Sequence, residues 1–156
     1  MRPFPDFELA DTTGAMRRLS DLQGGDPLVL LVSRGRHCLC EQRHHRELRP
    51  FWEWCQVGYT DMVTIAASDL HDLNSFRIAV AAGWPFLSDA GRVVQRTLDI
   101  EKYADPFHDP LAPLSLVLAP DLVIDEVYVE YRFWGRPSSY DLWADLRDLH
   151  RRIKQV

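Results

Sequence analysis

The chain has 156 residues, a net charge of −5, 46% hydrophobic and 26% charged residues. That is the length of one domain, residues 1–156, and such a chain can bury roughly 70% of its unfolded surface without a disulfide or metal staple. Scattered basic residues exclude a nucleic-acid footprint, no apolar run approaches the roughly 18 residues of a membrane span, and three cysteines are too few for a disulfide scaffold. The opening Met1-Arg2-Pro3-Phe4-Pro5-Asp6-Phe7 lacks the apolar core of a signal peptide, so a cytoplasmic location is expected.

Pro3 to Leu9 is short, apolar and proline-bounded. Asp11-Thr12-Thr13-Gly14 reads as a turn, and Met16 to Leu19 as a returning strand, giving an N-terminal β-hairpin. Ser20-Asp21-Leu22 starts a helical turn that Gly24-Gly25-Asp26-Pro27 ends. Leu28 to Val32 is apolar at every residue, the pattern of a strand buried on both faces. A helical pattern follows from Leu39, with Leu48, Phe51, Trp52 and Cys55 on one face, and Pro50 predicts a break near Arg49. Met62 to Ala67 is the next strand, which completes a βαβ unit.

Ser68 or Asp69 caps a further helix to about Ala82, with Leu70, Leu73, Phe76, Ile78 and Val80 as its expected apolar stripe. Trp84 to Leu87 is extended, and Val93 to Leu98 is helical. Glu101 to Pro113, with three prolines, is a loop. Leu114 to Ala119 and Val123 to Phe133 read as an antiparallel pair about the Pro120-Asp121 turn, the second a half-buried strand with alternating Val127, Val129, Tyr131 and Phe133. Gly135-Arg136-Pro137 breaks the second strand. Ser138 with Asp141 resembles a capping box for a last helix with the stripe Leu142, Leu146, Leu149 and Ile153.

The chemistry concentrates where the first buried strand meets its helix: Ser33-Arg34-Gly35-Arg36-His37-Cys38-Leu39-Cys40. A helix N-terminus favours a thiolate, and so do neighbouring cations. Cys38 is therefore the candidate nucleophile, with Arg34, Arg36 and His37 tuning it. Cys40 is a weaker candidate for a resolving thiol, since a Cys-x-Cys disulfide closes a small strained ring. Cys55, on an apolar face between aromatics, is read as core. No metal or cofactor is expected. An alternative metal set, His37, Cys38, Cys40 and His44, lies close in sequence, although His44 and His45 are read mainly as solvated helix residues. The run from Tyr131 to Trp134 either lines a pocket or packs in the core.

The order of elements, a cysteine at the first strand-to-helix turn and a proline before a later strand resemble the thioredoxin-like plan: an α/β fold with a central mixed sheet flanked by helices. More closely, Pro5-Asp6-Phe7-Glu8-Leu9, Leu19-Ser20-Asp21-Leu22, Arg34-Gly35-x-x-Cys38 and Phe86-Leu87-Ser88-Asp89 resemble the peroxiredoxin-like redoxins of the alkyl hydroperoxide reductase/thiol-specific antioxidant family. The resemblance implies a thiol-dependent antioxidant oxidoreductase that acts on a peroxide or disulfide through one cysteine. It further implies an external thiol reductant, a homodimer as one assembly open to the chain, and Pro113 as a cis-proline. Two departures stand out. The family signature Pro-x-x-x-Thr-x-x-Cys has Leu31 and Gly35 in its proline and threonine places, and no arginine stands beside Pro113 and Ser115. A redox-inactive thioredoxin-fold binding module and a Cys/His metal-binding protein are the alternatives.

Overall fold

The protein's structure, a computed structural model, describes residues 2–98, 112–130 and 135–155. The predicted loop centred on Pro106 and Pro110, and the Tyr131 to Trp134 run, lie outside the described residues. In chain order the elements are β1 (Glu8–Asp11), β2 (Met16–Arg18), α1 (Leu19–Gln23), β3 (Leu28–Ser33), α2 (Leu39–Glu47), α3 (Arg49–Val57) and β4 (Asp61–Ala66). Then come α4 (Leu70–Ala79), β5 (Phe86–Ser88), α5 (Val93–Leu98), β6 (Leu114–Ala119), a 3-10 turn (Pro120–Leu122), β7 (Val123–Val129) and α6 (Ser139–Lys154).

The seven strands form one mixed sheet in the order β2-β1-β5-β4-β3-β6-β7. β3 runs parallel to β4 and antiparallel to β6, so it is hydrogen-bonded on both edges. All six of its residues are buried, as its unbroken apolar run requires. Val29 and Leu31 pack on one face with Phe51, Phe76, Trp84 and Leu146. Leu28, Leu30 and Val32 pack on the other with Leu19, Ile65 and Val94. A strand fixed this firmly holds the turn at its C-terminal end in one place.

The helix after that turn breaks where Pro50 demands it. Leu48 serves as both the C-cap of α2 and the N-cap of α3, and the proline, which has no N–H to offer, lies in the first turn of α3. The capping box of α6 is complete: Ser138 Oγ accepts the Asp141 amide, and Asp141 Oδ2 accepts the Ser138 amide at 2.8 Å.

Three expectations change. In α4 only Leu73, Phe76 and Val80 of the predicted stripe are buried, while Ile78 is 65% exposed, because a residue two positions from Phe76 points off its face. β7 is an edge strand with Val127 and Val129 facing outward. Pro113 is preceded by a trans peptide bond, since the described residues contain no cis bond. At the head of β6 it has no N–H to place in the ladder, and its carbonyl accepts from the Glu130 amide at 3.0 Å in ordinary strand pairing.

Candidate active site

Cys38 is the N-cap residue of α2, with extended backbone (φ −99°, ψ 111°). The turn that delivers it depends on Gly35, whose φ is +91°. A Cβ at this position would lie 2.8 Å from Ser68 Oγ, so both the backbone and the Ser68 hydroxyl exclude a side chain there. The turn, as Gly35 builds it, has neither the dihedral nor the room for the threonine of the signature.

Two guanidinium groups approach the half-buried sulfur. Arg34 Nη1 lies 3.6 Å from Sγ and Arg136 Nη2 3.9 Å. Arg34 was expected. Arg136, ninety-eight residues downstream of Cys38, was missed, and it supplies the cation that the sequence lacks beside Pro113. It enters from the segment before α6 through Gly135, whose φ of +97° and close approach leave no space for a Cβ: one would sit 2.2 Å from the Val129 carbonyl oxygen. Two buried carboxylates hold Arg136 in place. Its Nε donates to Glu41 Oε2 and its Nη1 to Glu130 Oε1, each at 2.8 Å. The other Glu41 oxygen accepts the Arg34 amide at 3.3 Å. Glu41 therefore ties the active-site turn to the segment before α6.

Arg36 departs from expectation. Its side chain is drawn to Asp72 on α4, 3.4 Å away, and its carbonyl accepts from Gln42 Nε2 at 2.7 Å. The two guanidiniums bonded to Sγ, among the described residues, are those of Arg34 and Arg136. His37 is exposed on the same turn. Cys40 is half-buried and lines a cleft of about 290 Å³ with Arg43, His44 and Arg136. Its thiol and that of Cys38 are both free.

Competing influences act on the Cys38 sulfur. Burial pushes its thiol above the ordinary value, and the Glu41 charge adds to this, while the Glu41 amide, Arg34 and Arg136 pull it down; the net direction is upward. The helix N-terminus and the arginines thus moderate a desolvation cost here and do not produce the depressed thiol expected from sequence. Cys55 is fully buried, and burial, with Asp61, lifts its thiol to about 12, so it is core as predicted.

His44 and His45 are buried, contrary to the solvated reading. The His45 ring lies among Phe76, Trp84 and Phe86, with centroids 4.8 to 6.2 Å away. Its hydrogen bonds assign its tautomer. Nδ1 faces the Glu41 carbonyl at 2.9 Å, an oxygen that only accepts, so Nδ1 carries the proton. Trp84 Nε1 donates to Thr64 Oγ1 at 2.9 Å, and the Thr64 hydroxyl is then free to donate to His45 Nε2 at 3.0 Å. With a neutral imidazole every donor in the chain Trp84 to Thr64 to His45 to Glu41 has an acceptor, the Thr64 hydroxyl proton included. Burial, the largest influence, lowers its pKa to about 4. For Glu41, burial raises the carboxyl but is outweighed by the Arg136 guanidinium, through its charge and its hydrogen bond, and the net shift is downward.

The alternative metal set does not converge. Among the described residues the one group of three potential ligands within 4.8 Å of one another is Glu41, His44 and His45. Both ring nitrogens of His45 are engaged, His44 Nε2 donates to the Pro137 carbonyl at 2.8 Å, and both Glu41 oxygens accept hydrogen bonds. This donor set does not suit a cation without dismantling the hydrogen bonds that hold the turn.

Solved structures of like fold include peroxidoxin BcpB of Mycobacterium tuberculosis (22% identity, 96% of this chain and 95% of that one, TM-score 0.78). Two more are Enterococcus faecalis AhpC (11%, 98% and 93%, 0.82) and reduced Vibrio vulnificus Prx3 in complex with hydrogen peroxide (16%, 96% and 96%, 0.82). These likenesses bear out the thioredoxin-like fold. No curated protein matches the chain. The model of the AhpC/TSA family matches residues 1–127, from the N-terminal hairpin through the cysteine turn into β7, and the chain belongs to that family.

Proposed function

We propose that the chain is a one-cysteine thiol peroxidase with Cys38 as its nucleophile. The observation that carries this reading is the approach of Arg34 and Arg136 to a cysteine sulfur at the N-terminus of α2. The thiolate attacks the distal oxygen of a hydroperoxide. An S–O bond forms, the O–O bond breaks, and the leaving alkoxide or hydroxide takes a proton to become an alcohol or water. The two guanidiniums face the charge that moves from sulfur to oxygen, which is where fixed cations lower a barrier. His37, exposed on the same turn, is the proposed source of that proton. The sulfenic acid condenses with an external thiol, releasing water and leaving a mixed disulfide, and a second thiol restores Cys38. Cys40, in the neighbouring cleft, is the internal alternative for that step.

AhpC/TSA membership supports a peroxide substrate and a thiol reductant. Among the described residues no helix is long and apolar enough to cross a membrane, and the cytoplasm, with its reducing pool, is the compartment proposed. The chain is proposed to act as a single redoxin domain, as a monomer or homodimer, which light scattering distinguishes.

The deciding experiment follows peroxide consumption with a dithiol reductant for the wild type and Cys38→Ser, with mass spectrometry of the oxidised protein. Wild-type turnover, its loss in the variant and one added oxygen or a mixed disulfide at Cys38 are expected. Equal slow rates for both proteins would leave a redox-inactive thioredoxin-fold module as the better reading.

A further inference from the structure

At the end of β3 remote from Cys38 there is a cavity of about 550 Å³, within the roughly 300–1,000 Å³ range of small-molecule pockets. The six residues of β3 separate it from the Cys38 turn by about 20 Å at ~3.3 Å each. Pro27, before β3, Tyr59, after α3, Trp54 of α3 and Trp143 of α6 line it. The two indoles meet edge to face with centroids 6.4 Å apart. Tyr59 is 75% exposed at the mouth. Trp143 packs with its inner side on the core that contains Phe51, Cys55, Leu142 and Leu146, and it also lines the cavity.

The rim is cationic. Arg147, Arg151 and Lys154 line the cavity from successive turns of α6, against Asp26 as its one acidic residue. The ion pairs of this part of α6 are made by Arg152, with Asp125 and Asp148. Arg147, Arg151 and Lys154 have no ion pair among the described residues. The Arg147 guanidinium lies 4.6 Å from the Trp143 ring centroid, so one cation sits directly on the aromatic wall. In a chain of net charge −5, three cations against one carboxylate around an aromatic hollow form a local field that attracts anions.

We propose that this cavity binds a small flat organic anion, an aromatic carboxylate or sulfonate, at a site separate from Cys38. The ring of the ligand lies against Trp54, Trp143 and Tyr59, and its anionic group meets Arg147, Arg151 and Lys154. A concave pocket of this size suits a small molecule better than a protein surface. The adjacency of guanidinium and indole suits a charge attached to a ring better than one at the end of an alkyl chain.

The test is calorimetric titration of the full chain with 2-naphthoate, with the uncharged 2-naphthalenemethanol and with octanoate. Expected is saturable 1:1 binding of naphthoate with a Kd below about 1 mM, and binding of the neutral ring and of octanoate weaker by about tenfold or more. Arg151→Glu with Lys154→Glu, both on the exposed side of α6, should weaken naphthoate by about tenfold and leave the neutral ring unchanged. Tyr59→Ala should weaken both rings. Cys38→Ser should bind naphthoate as the wild type does. No saturation by about 5 mM, equal affinity for charged and neutral rings, tighter binding of octanoate, or loss of binding in Cys38→Ser would each overturn the proposal. None of these outcomes depends on turnover of peroxide.

Discussion

Protonating His45 should cost this fold stability as the pH falls below neutrality. The imidazole is 1% exposed and its pKa falls to about 4, against about 6.5 in the unfolded chain. A depressed pKa means that the unfolded state binds the proton first. The stability held by neutral His45 is therefore complete above about pH 6.5 and is lost as pH falls toward 4. At 1.36 kcal/mol per pH unit, the loss is about 2.5 kcal/mol by about pH 4.5 and about 3 kcal/mol in full. The structural cause is the direction of the hydrogen-bond chain. A second proton, on Nε2, removes the acceptor of the Thr64 hydroxyl proton and places a charge among apolar rings. The assay is urea unfolding followed by far-UV circular dichroism between about pH 7.5 and 4.5, comparing the wild type with His45→Phe. The phenyl ring keeps the packing against Phe76 and Phe86 but has nothing to titrate. The variant should lose about 2.5 kcal/mol less across that range. Parallel pH dependences for the two proteins would refute the neutral state of His45 and the reasoning built on it.

Other outcomes follow from the same geometry. Arg136→Met should destabilise by about 3–5 kcal/mol in urea at neutral pH, because Glu41 and Glu130 keep buried charges without their partner; adding Glu41→Gln and Glu130→Gln should recover part of that loss. Gly35→Thr, which restores the family residue, should lower Tm by roughly 3–10 °C and bring no gain in peroxide rate, since a non-glycine residue at φ +91° costs about 1–3 kcal/mol and its Cβ meets Ser68. Adding Ser68→Gly should relieve the overlap and leave the backbone cost. Oxidation of Cys38 by peroxide should accelerate as pH rises from about 7 to 9, because burial holds its thiol above the ordinary range and the thiolate is the reactive form; a flat profile would place the thiol well below 7.

The fold was legible where local chemistry and tertiary demand agree. The apolar run of β3, the break at Pro50 and the Ser138–Asp141 box each state their structure within a few residues. The active site was only half legible. Arg34 and Cys38 are four residues apart, so their meeting follows from the turn. Arg136 gives no local sign of its role: Gly135-Arg136-Pro137 reads as a strand breaker. Its meaning comes from Gly135 passing the Val129 carbonyl and from a carboxylate pair contributed by α2 and the end of β7. The histidines misled for a related reason. Polar residues in a polar stretch of helix read as solvated, yet aromatic side chains from β5 and α4 and the Trp84 ring enclose His45.

Placing the second arginine on the segment before α6 changes what the site depends on. A cation on a strand next to the thiol would be fixed by the sheet. Arg136 is fixed by Glu41 and Glu130, and Glu41 also accepts the Arg34 amide, so the cysteine turn and both of its cations share one buried carboxylate. That carboxylate opposes the function it supports, since its charge disfavours a thiolate at Cys38. The arrangement is coherent if Glu41 is needed chiefly for position. Glu41→Gln removes the charge and keeps an acceptor for Arg136, although the amide no longer matches both of the donors that Glu41 satisfies. The variant should therefore lose stability while its Cys38 thiol titrates at lower pH than in the wild type. Alkylation rates against pH, measured beside urea midpoints, separate the two effects. A thiol that titrates higher in Glu41→Gln would mean that the two arginines had moved off the sulfur, and that their position, more than the net charge around Cys38, governs its reactivity.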